Sequence, residues 1–329
     1  MPREAPWLRE ARLGTRLLAV VCGGPLIRAA RARRGGQYWL WRASAGLVRG
    51  LPPPAGLALA DAAGLAAYLV APRARRHVRA NLRHVLGRRP PEALVRAVFQ
   101  HGARNYYDLL RLPHLAPEAL RALVTVDGWE HLHAARAAGR GVLLVTAHLG
   151  SVNLVGQLVA LAGCPTSVVV EALSDPAVRE LLSRWRASHG IRPIVAGPAA
   201  LRAIRAALAR NEVVGLFCDR DVTGTGIPVR FFDAPARLPA GAAVLGLRTG
   251  APVLPAFAAR RPDGRYCGWF EPPLVLPRMG DWHADVRAAT EQIAQRLEAA
   301  IRRYPAQWTV FQPVWEAAAG AREAIGGRL

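Results

Sequence analysis

Five apolar or β-branched residues in succession, Val142-Leu143-Leu144-Val145-Thr146, predict a short buried strand. Just past it stands His148, then Gly150, which lets the chain turn, then Ser151 in the N-cap position of a second apolar run from Val152 to Ala162. The same alternation recurs downstream. Further strands are predicted at Ser167 to Val170, Val213 to Phe217 and Val253 to Phe257, and helices at Pro176 to Ser188, Pro198 to Arg210 and Pro239 to Arg248. A final helix is predicted from about Asp285 to Arg303. Strands alternating with helices imply an α/β fold with a mostly parallel central sheet covered by helices. His148 then lies at the carboxyl ends of the strands, where open α/β sheets bind their ligands, beside a helix amino terminus that favours developing negative charge.

The first 90 residues follow a different pattern. They are rich in Ala, Leu and Arg, are broken at Gly35-Gly36 and Pro52-Pro53-Pro54, and predict helices joined by short breaks. Residues 1–90 therefore read as an N-terminal helical membrane-docking region, and 91–329, opening with a helix from Pro91 to Arg111, as the α/β domain. Two apolar stretches stand out in the first part. Leu17 to Ile27 is followed by Arg28, Arg31, Arg33 and Arg34 rather than by a small-residue cleavage site, so a cleavable signal peptide is not expected. Ala55 to Ala71 carries Asp61 and falls short of the roughly 20 residues a membrane span needs. Both read as interfacial or docking helices, a buried helix being the alternative for the second.

Charge sharpens this picture. The 329 residues hold 44 basic groups, all Arg, against 23 acidic ones, and the net charge of +21 calls for a polyanionic partner such as lipid head groups or nucleic acid. Arg73, Arg75, Arg76, Arg79, Arg83, Arg88 and Arg89 cluster between Pro72 and Arg89, with Arg76, Arg79 and Arg83 on one helical face. Apolar helices precede the cluster, which favours an anionic membrane, where each arginine contributes about 1 kcal/mol. A nucleic-acid binder is the weaker reading, because no recognised nucleic-acid motif or aromatic-studded basic strand accompanies the charge. Cys22, Cys164, Cys218 and Cys267 are too widely spaced for a zinc site or disulfide framework, so no metal is expected.

A second block carries candidate chemistry. Phe217-Cys218-Asp219-Arg220-Asp221 begins at another strand end and runs through a Gly-rich turn to Phe231-Phe232. Its three charges must face solvent or form a network, since an unpaired buried charge is costly. A polar turn leading into a hairpin would explain the block without any site. Beside His148 at a neighbouring strand end, a site becomes the better explanation.

Several ordered blocks together resemble the bacterial lipid A acyltransferase family. They are Thr146-Ala147-His148-Leu149-Gly150-Ser151-Val152-Asn153, the Asp219-Arg220-Asp221 block with Gly226 and Phe231-Phe232, Arg237-Leu238-Pro239-Ala240-Gly241, Thr249-Gly250-Ala251-Pro252-Val253-Leu254-Pro255, and Tyr304-Pro305-Ala306-Gln307-Trp308. The likeness spans roughly residues 79–315, including Asn81-Leu82 and Asn105-Tyr106-Tyr107, with a closer likeness to the phosphatidylinositol mannoside acyltransferases. It implies transfer of a fatty acyl group from acyl-CoA or acyl carrier protein to a hydroxyl of a glycolipid or lysolipid at the cytoplasmic face of the membrane. No cofactor is expected beyond that co-substrate. His148 matches the family's catalytic base, and the chemistry agrees: an imidazole with an ordinary pKa near 6.5 can take the proton of an alcohol, a poor nucleophile at neutral pH.

The chain departs from the resemblance at one position. The usual motif has Asp or Glu five residues after the His, and here Asn153 stands there. Asparagine can hold the ring tautomer but cannot stabilise imidazolium by charge, so either activity is low or another carboxylate takes the role. Glu171, at the end of the strand Ser167 to Val170, is narrowly favoured, with Asp219 and Asp221 as the other candidates. A lipid-binding homologue that no longer turns over is the competing reading. For the negative charge that develops on the thioester oxygen, the candidate donors are backbone N–H groups near Gly150 and Ser151 and the guanidinium of Arg220, which is preferred. Ser151 lies outside a G-x-S-x-G elbow and reads as an N-cap rather than a nucleophile. Arg184 and Arg186, on the helix after Glu171, are candidates for a phosphate of donor or acceptor, and an exposed helical face explains them equally well.

Overall fold

The computed structural model describes residues 36–315. The apolar run Leu17 to Ile27, its flanking arginines and Cys22 lie outside the described residues. Four helices lead in: α1 (Gly36–Gly50), α2 (Pro53–Val70), α3 (Pro72–Leu86) and α4 (Glu92–Arg111). After a short 3-10 turn come α5 (Pro117–Leu123), β1 (Val124–Asp127), α6 (Trp129–Ala137), β2 (Val142–Thr146), α7 (Val152–Val155), α8 (Gln157–Leu161), β3 (Thr166–Val170), α9 (Pro176–Arg186) and β4 (Ile191–Val195). The chain continues through α10 (Ala200–Ala209), β5 (Val213–Phe217), β6 (Ile227–Phe231), β7 (Ala234–Leu238), α11 (Gly241–Thr249), β8 (Val253–Arg260), β9 (Tyr266–Phe270) and α12 (Trp282–Arg303).

Among the described residues, seven strands form one sheet in the order β1-β9-β8-β2-β5-β3-β4. Every neighbouring pair in it is parallel except β8 with β9. The mostly parallel α/β architecture agrees with the strand and helix alternation in the sequence. β2 is buried along its whole length, as expected of a central strand covered on both faces. Leu143, Val145, Val214 and Val253 share a core with α10, α11 and α12, while Val142, Leu144, Val213 and Leu254 face α6 and the α7–α8 segment.

Some elements departed from the sequence pattern. The helix expected over 152–162 is interrupted at Gly156, where the side chain of Gln157 donates from Nε2 to the carbonyl of Asn153, a bond that intrudes on the helical ladder. β4 reads poorly because it contains Pro193, which an edge strand tolerates. β6 and β7 form an antiparallel hairpin apart from the main sheet.

The N-terminal helices do not stand apart from the α/β unit. Val78, Leu82, Phe99 and Phe311 belong to one core that also takes in Leu154, Leu181 and Tyr266. Arg79, grouped by spacing with Arg76 and Arg83, is tied by its guanidinium to Glu92 at the start of α4, whereas Arg76 and Arg83 remain exposed. α2 is long and apolar enough, at 18 residues, to cross a membrane by length and composition. It nevertheless packs along α4 through the small residues Gly56, Ala60, Gly64 and Ala67, and Asp61 on it pairs with Arg104. A Cβ on Gly64 would stand 2.6 Å from Gln100 Cα, so this glycine is required by the close approach of two backbones.

Gly64→Ala is therefore expected to destabilise the protein despite the better helix propensity of alanine. By contrast Gly46→Ala, on α1 with open space around it, should stabilise by about 0.5–1 kcal/mol. Urea unfolding of the two variants checks this, and equal shifts in the same direction would show that α2 and α4 are not in such close contact.

Candidate active site

Register along the sheet builds the site. Thr146, the last residue of β2, pairs with Phe217, the last residue of β5. His148 and Asp219 each lie two residues beyond that pair, so parallel pairing brings them out side by side at the carboxyl edge. β3 lies on the other side of β5, and Glu171 immediately follows it. Three segments far apart in sequence are thereby neighbours because β2, β5 and β3 are adjacent and parallel.

Asp219 is fully buried and makes three polar contacts. Its Oδ2 accepts from the backbone N–H of His148 at 2.8 Å and from the indole Nε1–H of Trp308 at 2.8 Å, while Oδ1 lies 2.8 Å from His148 Nδ1. Burial works to raise the carboxyl's pKa. The electrostatic interaction with His148, the two hydrogen bonds from that residue and the Trp308 indole together outweigh burial and hold Asp219 below the ordinary carboxylate range. An ionised carboxylate only accepts, so Nδ1 of His148 carries a proton, and the neutral form of the ring presents the lone pair of Nε2. Among the described residues nothing hydrogen-bonds Nε2, and the His148 side chain is 28% exposed, so the ring reaches solvent.

Packing fixes the rest of the ring. Phe217 stacks on it at 4.3 Å between centroids. The His148 carbonyl accepts from the Thr309 N–H at 2.9 Å, and Leu149 forms a bridge with Trp308. Gly150 has φ +58°, and a Cβ there would run into the carbonyl of Ala258. Only glycine makes this turn without strain.

The structure reassigns several residues singled out from sequence. The carboxylate on His148 is Asp219, one of the open candidates, and not Glu171, which pairs with Arg220 through Nη2 at 2.8 Å. Asn153 does not orient the ring, because its Oδ1 accepts from Arg186 Nε at 3.2 Å. The Gly150 N–H donates to the Gln307 carbonyl at 3.0 Å and is thereby withdrawn as a donor to a substrate oxygen. Ser151 occupies the N-cap position of α7, yet its hydroxyl makes no cap and is buried without a partner. Asp221 organises its own loop: Oδ1 accepts from the backbone of Thr223 and Gly224, and Oδ2 from Gly226 at 2.7 Å. Both of its oxygens are engaged, which leaves little for a substrate. Arg184 is exposed beside Tyr38 of α1 and, after Arg42, helps lower that phenol's pKa.

Phe217 and Trp308 are the contributors that residue-by-residue reading did not assign. Trp308 closes one of the ordered sequence blocks, and its place in that block was its only signal.

The family model described as bacterial lipid A biosynthesis acyltransferase matches residues 28–317, which include every element of the site. The chain belongs to that family. As a family member it is an acyltransferase, and it is also similar to individual relatives. A phosphatidylinositol mannoside acyltransferase of Mycolicibacterium smegmatis is 32% identical over 250 residues, 72% of this chain and 78% of the relative. One from Mycobacterium tuberculosis strain H37Rv is 32% identical over 247 residues, 72% of this chain and 76% of the relative.

Removing the indole donor tests how the buried carboxylate is held. Trp308→Phe should cost about 1–3 kcal/mol at neutral pH, because it strips a hydrogen bond from a buried charge. Asp219, with its pKa depressed on folding, stabilises the native state above the ordinary carboxylate value, and this is lost as pH falls through the depressed value. Trp308→Phe raises that lower value, so acid unfolding should set in at a higher pH than in the parent. An acid titration followed by circular dichroism measures the midpoint, and an unchanged midpoint would show that Trp308 does not stabilise the ionised form.

Proposed function

We propose that this acyltransferase moves a fatty acyl group from a thioester donor, acyl-CoA or acyl carrier protein, to a hydroxyl of a glycolipid or lysophospholipid, with His148 as general base. The observation that carries the proposal is the His148–Asp219 pair, whose outer nitrogen faces solvent at the carboxyl edge of the sheet.

In this reading Nε2 of neutral His148 takes the proton of the acceptor hydroxyl as its oxygen attacks the thioester carbonyl carbon. The carbonyl π electrons move to oxygen, giving a tetrahedral oxyanion. Collapse of that species breaks the carbon–sulfur bond, and the leaving thiolate receives the proton from the imidazolium. The products are an ester and a free thiol, and His148 returns to its starting state. Asp219 stabilises the imidazolium by charge and keeps the proton of the neutral ring on Nδ1. Arg220, neighbour of Asp219 and braced by Glu171, is the proposed cation for the oxyanion. The relatives' names support a glycolipid acceptor. A lipid-binding protein without turnover is less well supported, since its ground was the missing charge at Asn153 and Asp219 supplies a charge to the ring.

We also propose that the protein works at the cytoplasmic face of the membrane, bound peripherally through α1 and α2. Trp39, Leu40 and Leu47 on α1 and Leu59, Leu69 and Val70 on α2 are exposed apolar side chains, and Arg73, Arg76 and Arg83 are exposed on α3. A lipid surface would bury the first set and attract the second. α1 packs against α9 through Trp41 and Trp185, so this surface adjoins the region after Glu171.

A radiolabelled acyl-CoA transfer assay with membrane lipid extract tests the chemistry. His148→Ala should lower transfer by about 10²–10⁴-fold. Asp219→Asn should lower it by roughly 10⁴-fold, because an amide favours the wrong ring tautomer. Equal incorporation by His148→Ala and the parent chain would remove the ring from the mechanism. For the membrane, flotation with anionic vesicles should recover the parent chain, and the double variant Trp39→Ser with Leu47→Ser should float less. Unchanged flotation would place the docking face elsewhere.

A further inference from the structure

Asn153 and Arg186 form a pair that the acyl-transfer scheme leaves unused. Arg186, at the end of α9, donates from Nε to Asn153 Oδ1 at 3.2 Å. The side chain of Gln157 locks the two segments together, donating from Nε2 to the carbonyls of both Asn153 and Arg186 at 3.0 Å. Asn153 is the second residue of α7, directly after the turn that carries His148, so the guanidinium is tied to the segment that follows that turn.

The charge of Arg186 has no counter-ion there. Among the described residues no carboxylate oxygen lies within salt-bridge distance of it, in contrast to Arg220, Arg260 and Arg104, each of which has one. The side chain that accepts from its Nε is a neutral amide. Desolvation lowers its pKa, with a nearby phenol, Tyr106, opposing, as expected of a cation taken from water without charge compensation. Both Asn153 and Arg186 keep partial solvent exposure as residues. The family motif places an acidic side chain at position 153, and one there would face Arg186 as an ion pair. Asparagine keeps the orienting hydrogen bond and omits the negative charge.

We propose that Asn153 holds Arg186 as an uncompensated cation that binds a phosphate group of a substrate, and that this is why position 153 is an amide in this chain. The proposal rests on the acyl-transfer reading for the identity of the substrates and deepens it by naming a charged subsite. Arg186, with five donors in a planar fork, matches phosphate geometry bidentately. Both substrate classes carry such a group: the coenzyme A or phosphopantetheine arm of the donor, and the phosphodiester of a phospholipid acceptor. Arg184, two residues earlier on α9 and close to Tyr38, is not part of the subsite.

The test is a binding measurement, independent of turnover, so that its result stands whether or not transfer is observed. Isothermal titration compares the full chain with Asn153→Asp and Arg186→Gln against four probes: coenzyme A, phosphate-free pantetheine, lysophosphatidylinositol micelles and monoacylglycerol micelles. Both variants should lose roughly tenfold or more in affinity for one phosphate-bearing probe and keep their affinity for its phosphate-free counterpart. The probe that responds identifies donor or acceptor as the source of the phosphate. Asn153→Asp should keep or raise the melting temperature, since it adds an ion pair, so its loss of binding cannot come from unfolding. Parent-like binding of both phosphate-bearing probes by Asn153→Asp would overturn the proposal, as would an equal loss for the phosphate-free probes.

Discussion

A carboxylate with no solvent exposure, Asp219, is the group around which this site is assembled. An ionised carboxyl in the interior is tolerated only when charge and hydrogen bonds replace the water it has lost. Here the replacements come from two places. His148 supplies a backbone N–H and a ring nitrogen, and Trp308 supplies an indole N–H. The requirement to satisfy one charge thus ties together the ends of β2 and β5 and a turn near the end of the described chain. Stability and chemistry share the same contacts, so the ring cannot rotate away without leaving the carboxylate exposed to an apolar interior.

Around that anchor the site divides into parts that are held and parts that face outward. The Gly150 turn, the Asp221 loop and the Gln307 side chain, which brackets Arg260 through both its backbone N–H and carbonyl, are engaged in bonds within the protein. Among the described residues the outer nitrogen of His148 has no partner, the guanidinium of Arg220 is braced by Glu171 and that of Arg186 is oriented by an amide. α1 brings exposed apolar side chains to α9, the helix that carries Arg186, through the packing of Trp41 on Trp185.

Asn153 and Asp219 show how a sequence motif and its geometry can separate. Reading the motif as a base with its acid five residues on makes Asn153 look like a lesion. In the fold, the carboxylate that meets the ring comes from another strand, and position 153 faces an arginine instead. The residue bears on which charges surround the base and leaves the orientation of the base to Asp219.

Local pattern was sufficient for the central elements. Val142 to Thr146 and Val213 to Phe217 are short runs dominated by apolar and β-branched residues, the length and composition of a sheet-core strand. Alternation with helices then dictates a parallel sheet, and a histidine just past such a strand must lie at its carboxyl edge. Strand order is another matter, because it depends on long-range pairing that no short window contains. That β5 lies between β2 and β3 is what sets Asp219, rather than Glu171, against His148. The same holds for Trp308, whose indole arrives from 160 positions downstream of His148, a distance that only the closed fold removes.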